Sequence, residues 1–188
     1  MNKENVLTVV IALIVGLLGG YLIFGITRAN TKQPVEIMVP QGTGSPMDYQ
    51  MRIAEAEKIV AKDPSNIQVW HQLANDYFDT DQPQKAVNAY SKVLELDPRN
   101  PNVLTDQGIM YRRLGWYDKA IANFEKAQQI DPKHLQSLYN LGVVYLTDLH
   151  QPEKAREVWT KYLQFDSTSP TAQEIKSEMK AISPKMGQ

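Results

Sequence analysis

Few side chains in this 188-residue sequence have the types and spacing that catalysis requires. Cysteine is absent, which excludes thiolate nucleophiles, iron–sulfur clusters and thiolate zinc sites. The three histidines, His71, His134 and His150, lie far apart along the chain, and no group of carboxylates at metal-ligand spacing accompanies them. A nucleophile beside a base and a glycine-rich phosphate loop are also missing. The sequence therefore predicts a protein that is not an enzyme and that holds no metal or cofactor.

The charged residues are balanced, with 20 lysines and arginines against 21 aspartates and glutamates. The formal net charge is −1. Proteins that bind nucleic acids concentrate positive charge, because phosphate contacts supply much of their affinity. The composition therefore predicts no nucleic-acid partner.

Two similar segments indicate how the polar side chains are positioned. The sequence AVNAYSKVLELDP at residues 86–98 returns thirty-four residues later as AIANFEKAQQIDP at residues 120–132. Apolar residues recur at helical spacing in both, and the closing proline disfavours a helix. Gly108 and Gly142 would let a neighbouring ring approach the helix backbone. A repeat of this period predicts an all-α architecture of stacked helix pairs.

The array extends in both directions from these two segments. A third copy contains QPEKA at residues 151–155, and its one extra residue before Ala155 should reshape its turn. An amphipathic stretch before Asp63-Pro64 predicts the second helix of an incomplete first repeat. After Ser169 a further helix with a polar outer side is predicted, as terminal repeats require.

The repeated residues resemble the tetratricopeptide repeat family, whose pattern sets large and small residues at fixed positions of two helices. The matching residues are Trp70, Leu73, Tyr77, Ala86, Tyr90 and Pro98, then Gly108, Tyr111, Ala120, Phe124 and Pro132, then Leu141, Gly142, Tyr145, Ala155 and Trp159. The resemblance implies a right-handed helical solenoid over residues 47–183. It would contain a half repeat, repeats at about 67–100, 101–134 and 135–168, and a capping helix, followed by a tail at 184–188.

The resemblance also implies that the first helices of the repeats line a concave groove for an extended or helical peptide. The implied groove residues are Gln68, His71, Asn75, Phe78, Asn102, Thr105, Ile109, Arg112, Gln136, Tyr139, Asn140, Val143 and Leu146. Some members clamp a terminal carboxylate with lysines and asparagines, but the lysines are missing here and Arg112 and Arg113 are the nearby cations. Two alternatives stay open. In one, Tyr139, Val143 and Leu146 are covered by the capping helix or the linker and not by a partner; in the other, which is independent of the first, Arg112 and Arg113 are an ordinary solvated pair.

An uncharged apolar stretch lies near the N-terminus. Residues 6–26 would form a helix of about 31 Å, which matches the hydrocarbon thickness of a bilayer. We therefore expect a short tail at 1–5, a single transmembrane helix at 6–26, and a proline- and glycine-containing flexible linker at 27–46; the alternative is a cleaved signal peptide. Ala12, Gly16 and Gly20 would allow a homodimer through close helix packing, although glycine is also common in membrane helices.

These features predict a membrane-anchored interaction module or scaffold that binds a protein or peptide segment in its groove during cell-envelope protein assembly. The resemblance to membrane-anchored bacterial members implies an inner-membrane location with the repeats on the periplasmic side. Lysines and arginines are nearly balanced around residues 6–26, so they leave the topology open. Two alternatives are a subunit that assists cytochrome c maturation and a self-associating structural scaffold.

Overall fold

A computed structural model describes residues 46–182. The predicted tail, transmembrane helix and most of the linker lie before this range, and the C-terminal residues 183–188 lie after it. Between residues 46 and 182, no helix is long and apolar enough to cross a membrane.

The described part of the chain is entirely helical and contains no strand. Its helices are α1 Pro46–Lys62, α2 Ile67–Asp79, α3 Pro83–Leu96, α4 Pro101–Arg113, α5 Tyr117–Ile130, α6 Leu135–Val143, α7 Pro152–Phe165 and α8 Pro170–Ala181. Helices α2 to α7 form three consecutive hairpins; α1 packs against α2, and α8 packs against α7. The predicted solenoid of a half repeat, three repeats and a capping helix is confirmed for these residues.

The first helix of each repeat begins at an equivalent side-chain cap. Asn66 and Asn100 accept hydrogen bonds from the backbone N–H groups of Val69 and Val103, three residues further on. The third repeat has His134 at this position, and its ring accepts from the N–H of Ser137. These caps satisfy N–H groups that would otherwise lack a partner at the helix start.

The turn inside each repeat contains one residue with a positive φ angle, at Asp81, Gly115 and His150. In the third repeat the extra residue is absorbed before this turn, where α6 continues as a π-helical segment at Val144–Asp148. The N–H of Leu149 donates to the carbonyl of Val144, five residues back. The predicted change in the third turn is confirmed.

The core has two clusters of buried side chains, and Ile109 and Tyr111 of α4 pack against both. Close ring contacts join the two helices within the second repeat and the two helices within the third. A Cβ atom on Gly108 would lie 2.6 Å from the Phe124 ring, and one on Gly142 would lie 2.1 Å from Nε1 of Trp159. The predicted approach of a ring to these two glycines is therefore confirmed.

Gln107 is buried where the family pattern has leucine, and its amide is fully used. Its Nε2 donates to the carbonyl of Val87 at 3.1 Å and to Oγ of Ser91 at 2.8 Å, while its Oε1 accepts from Nδ2 of Asn123 at 2.8 Å. This network joins α3, α4 and α5. A buried amide is tolerated here because its donors and acceptor are satisfied.

Candidate functional site

The first helices of the three repeats, α2, α4 and α6, present one connected surface, which we call the inner face. Side chains connect neighbouring helices across it: Oδ1 of Asn102 lies 2.8 Å from Nε2 of His134, and Nε2 of Gln136 donates to Oδ1 of Asp106 at 3.4 Å. These contacts join α4 to α6, and the Arg113 guanidinium of α4 lies over the Phe78 ring of α2.

On α2, the predicted residues differ in how freely they face solvent. Gln68 is exposed, whereas His71, Asn75 and Phe78 are half-buried. Oδ1 of Asn75 accepts a 2.8 Å hydrogen bond from the hydroxyl of Tyr90. Asn75 is therefore partly a structural residue, and Gln68 is the freest predicted position of this helix.

On α4, the structure shifts the predicted stripe by one residue. Thr105 is fully buried and its Oγ1 donates to the carbonyl of Pro101 at 2.8 Å, so this side chain cannot contact a partner. Asp106, which sequence reasoning missed, is half-buried beside Gln136. Asn102 is exposed and Ile109 half-buried, as expected for residues at a groove. The spacing 102, 106, 109 is as helical as 102, 105, 109, and could have suggested Asp106.

The two arginines of α4 are both engaged with carboxylates. Nε of Arg112 lies 2.5 Å from Oδ2 of Asp148, and Nη1 of Arg113 lies 2.9 Å from Oδ1 of Asp81. The Arg113 guanidinium also lies 4.8 Å from the centre of the Phe78 ring. A terminal carboxylate would have to compete with these acidic side chains, so the inner face is poorly suited to act as a carboxylate clamp.

On α6, the capping helix covers part of the predicted stripe. The Tyr139 hydroxyl donates to Glu174 of α8 at 2.9 Å. Tyr139, Val143 and Leu146 line a cavity of about 150 Å³ together with residues of α8, including Ile175. Of the alternatives raised by the sequence, the structure therefore supports partial coverage of these three residues by the capping helix. Asn140 donates to the carbonyl of Gln136 at 2.8 Å, and Gln136 itself is exposed.

The hydrogen bonds of His134 define the tautomer of its neutral ring. Its Nδ1 accepts from the N–H of Ser137 at 3.3 Å, so the proton of a neutral ring resides on Nε2 and is donated to Asn102. Burial lowers the pKa of His134, and the nearby charge of Asp131 partly opposes this effect. The ring therefore acts as a helix cap and an inter-repeat contact.

Asp106 carries a half-buried carboxyl group on the inner face. Burial raises the pKa of its carboxyl group, and the charge of Asp79 acts in the same direction. His71 and the hydrogen bond from Gln136 oppose the rise. Burial is the main cause of the raised pKa of the Tyr90 hydroxyl, and the charges of Asp106 and Asp79 add to the rise.

A second concavity lies on the opposite side, between α1, α2 and α3. It has a volume of about 420 Å³, and Val60, Trp70, Leu73 and Tyr77 contribute its apolar lining. The equivalent place in the second repeat is filled by the Gln107 network. The third repeat has an equivalent cavity of about 480 Å³, with Leu141, Tyr145 and Val158 in its apolar lining, so this outer cavity recurs in the first and third repeats.

The part of the chain that the structure describes holds no group of three or more histidines, aspartates or glutamates placed to bind a metal ion. The arrangement of the inner face instead suits reversible contacts. Its amides can form hydrogen bonds with a peptide backbone, and Ile109 offers an apolar surface.

Comparison with known proteins agrees with the architecture. Family models described as tetratricopeptide repeat match residues 67–100 and 89–122, and one described as TPR repeat matches residues 108–148. No curated protein matches the sequence.

Among solved structures, a crystal structure of MamA is similar with a TM-score of 0.62 and 20% identity, covering 71% of this chain and 86% of that chain. Another, MamA MSR-1 C2, is 26% identical with a TM-score of 0.59, covering 63% of this chain and 68% of that chain. The TPR domain of Arabidopsis OM64 is 20% identical with a TM-score of 0.57, covering 61% of this chain and 94% of that chain. Together the family models cover residues 67–148, and these structures share the helical solenoid, so this part of the chain consists of tetratricopeptide repeats.

Proposed function

We propose that this protein is a membrane-anchored interaction module that holds a peptide or protein segment on its inner face during protein assembly in the cell envelope. The tetratricopeptide repeat fold supports the general part of this proposal, a protein–protein interaction module. The observation that carries the site is the continuity of the inner face. Side chains of α4 and α6 meet there in direct contacts, and Arg113 of α4 lies over the Phe78 ring of α2.

The membrane part of the proposal is supported by the sequence of residues 6–26, which is uncharged and of spanning length. As a single-pass anchor in a bacterial inner membrane, it would raise the effective concentration of the repeats for neighbours in the same bilayer. Ala12, Gly16 and Gly20 would supply a close-packing surface for a homodimer. We propose the periplasm as the compartment of the repeats.

The binding site can be tested by photo-crosslinking from single positions of the full chain in its native cells. A photoreactive side chain at Gln68 or Gln136 would face the proposed partner, because both positions are exposed on the inner face. Glu125, exposed on α5 beside a cavity between α5 and α7, is the matched control. We expect discrete adducts from the two inner positions and none from Glu125. Adducts from Glu125 alone would place the partner on the outer side.

The compartment is tested separately, with a compartment-sensitive reporter at the C-terminus and alkaline extraction of membranes. A periplasmic signal and retention in the extracted membrane are the expected results. Retention should be lost when residues 6–26 are deleted. A cytoplasmic signal would exclude the envelope role and leave a scaffold at the inner side of the membrane.

A further inference from the structure

The turn inside the second repeat differs in residue type from the turns of the other two repeats. The first and third repeats have Gln-Pro at residues 82–83 and 151–152, whereas the second has Trp-Tyr at residues 116–117. The backbone at the first residue of each pair is nearly the same, with φ and ψ of −110° and 66°, −90° and 64°, and −112° and 72° in the order of the repeats. Because glutamine occupies this backbone twice, the repeat fold does not require an aromatic residue there.

Trp116 keeps a large apolar side chain at the surface. It is 39% exposed, although tryptophan is highly buried on average in folded proteins. The cavity beside it has a volume of about 480 Å³ and is also lined by Leu149. Leu149 directly follows the π-helical segment that absorbs the extra residue of the third repeat, and such segments are frequent at functional sites. Two departures from the repeat pattern therefore adjoin one concave surface.

The three turns and the start of α1 lie along one edge of the array, which we call the turn edge and define by residues 46–50, 79–83, 113–117 and 148–152. The Tyr49 hydroxyl of α1 donates to Asp79 at 3.2 Å. Arg113 lies 2.9 Å from Asp81 of the first turn, and the neighbouring Arg112 pairs with the aspartate that precedes the third turn. The chain therefore enters α1 at the same edge that carries Trp116.

We propose that the turn edge of the second and third repeats rests on the surface of a lipid bilayer, with Trp116 at the depth of the headgroups. This inference rests on the proposed function, because it takes residues 6–26 to be a membrane anchor. Residues 27–45 would then tether the turn edge near the bilayer. At the high effective concentration that a tether provides, even a weak lipid contact would be occupied.

The residue types match those that proteins place at a membrane–water interface. Tryptophan and tyrosine are enriched there, because each combines an apolar ring with a polar atom. A lysine beside them can keep its aliphatic stem on apolar surface and its ammonium group near the lipid phosphates. Nζ of Lys119 lies 4.4 Å from the centre of the Trp116 ring, and the Tyr111 ring centre lies 5.9 Å from it. This cluster thus has the aromatic and cationic groups that a headgroup region favours.

The charges around this cluster are balanced, so its contact with lipid would be mainly hydrophobic. Lys119 is exposed next to an exposed Asp118, and the two arginines at the end of α4 are held by aspartates. Anionic lipids attract surfaces that carry an excess of lysine and arginine, which this cluster does not have. We therefore expect contact with zwitterionic lipid, and added salt should not weaken it.

The test uses the full-length chain in vesicles of phosphatidylcholine with bromine on the acyl chains, because bromine quenches tryptophan fluorescence on close contact. The three tryptophans are Trp70, Trp116 and Trp159, so the emission reports the repeats and not residues 1–45. We expect quenching by lipid brominated near the headgroups and weaker quenching by lipid brominated near the chain ends. Trp116→Gln, which copies Gln82 and Gln151, should lose the quenching.

The matched control is Trp70→Phe. Trp70 lies at the other edge of the array, where its Nε1 donates to the carbonyl of Pro64 in the loop before α2 at 3.0 Å. This variant should keep the quenching. Thermal unfolding checks that both variants are folded. The comparison of shallow and deep bromine in the original protein and in Trp70→Phe tests the contact even if Trp116→Gln does not fold.

Flotation of the vesicles separates this inference from the proposed function. Protein that floats with the vesicles but whose emission is not quenched, or is quenched equally in Trp116→Gln, would overturn the lipid contact and leave the anchor standing. Protein that does not float would overturn the anchor and the lipid contact together. A photoreactive aromatic side chain in place of Trp116 should crosslink to lipid in native cells. Crosslinks to protein alone would overturn the proposal and make the turn edge a protein contact.

Discussion

The junction between the half repeat and the first repeat differs from the two junctions that follow it. At the first junction Arg52 of α1 pairs with Asp76 of α2; both side chains are buried, and Asp76 is 0% exposed. One repeat further along the sequence, the equivalent positions are occupied by Ala86 and Met110, and both are fully buried. The same packing position is thus ionic at the end of the array and apolar inside it.

The difference suits two physical tasks: an apolar junction stabilises the array, and an ionic junction orients a helix. Apolar contacts stabilise a junction without orienting it, whereas a buried ion pair gains little net stability because both charges must be desolvated. Nε of Arg52 donates to Oδ2 of Asp76 at 3.2 Å, and Gln72 donates to Oδ1 at 3.0 Å. We interpret the pair as fixing where α1 docks, since residues 46–182 include no first helix that would pair with α1 as in a complete repeat.

The largest effect is expected from breaking that pair. Arg52→Ala leaves the carboxylate of Asp76 buried without its cation and should reduce the free energy of unfolding by about 3–5 kcal/mol. Denaturant unfolding monitored by circular dichroism measures the loss. A loss below about 1 kcal/mol would show that water reaches Asp76 when Arg52 is removed, so that the junction is not closed.

The matched control converts the first junction into an internal one. The double variant Arg52→Ala with Asp76→Met gives the first junction the residue types that the next junction has at Ala86 and Met110. Because both charges are removed together, its stability should return to that of the original protein or exceed it by about 1–4 kcal/mol. A double variant as unstable as Arg52→Ala would mean that the guanidinium stem, not the charge, holds α1.

The next effect compares the ring contacts of the repeats. Ala74 of the first repeat is fully buried in the position that Gly108 and Gly142 occupy in the others. Gly142→Ala would place a methyl group 2.1 Å from the Trp159 indole, which must move, and should destabilise by about 1–3 kcal/mol in thermal unfolding. Ala74→Gly, the reverse change in the first repeat, should lose about 1 kcal/mol through helix propensity alone. A gain of stability in Gly142→Ala would mean that the indole relaxes freely, because alanine has the higher helix propensity.

A smaller change in stability is expected from the positive-φ residues in the turns of the second and third repeats. His150 has a φ angle of 52°, and Gly115 has 74° at the equivalent place. Glycine adopts positive φ without the steric penalty of a side chain, so His150→Gly should stabilise by up to about 1 kcal/mol. Gly115→Ala should destabilise by a similar amount. Thermal unfolding of the two variants provides the measurement, and a stability change of the same sign in both would contradict this explanation.

The smallest effect is a pH dependence confined to the third repeat. Burial lowers the pKa of His134 below its ordinary value of 6.5, so the folded state binds fewer protons than the unfolded state. The contribution of His134 to the free energy of unfolding is complete above about pH 6.5. It is lost as the pH falls from there through the pKa of the folded state. The loss should stay below about 1 kcal/mol, the usual contribution of one cap. His134→Asn, which copies Asn66 and Asn100, should remove this part of the pH profile.

Much of the fold could be predicted because the repeat supplies three independent copies of each position. The spacing of Gly108 and Gly142 indicated close ring contacts, and the extra residue before Ala155 indicated an altered turn; both are present. The inner face was predicted less well. Thr105 and Asp106 are about 100° apart around α4, so a periodic pattern alone could not decide which one faces the partner. The start of α6 decided it, because His134 packs over Thr105.

Local spacing and composition are enough to set the helical period, the register of the repeats and the absence of thiol chemistry. Tertiary structure alone decided that Arg52 meets Asp76 across 24 residues, that Asp148 and Asp81 occupy the arginines of α4, and that Asp106 stays unpaired. The physical reason is that a charged side chain has no defined partner along the chain. Its energy depends on which groups, and how much water, the neighbouring helices bring to it.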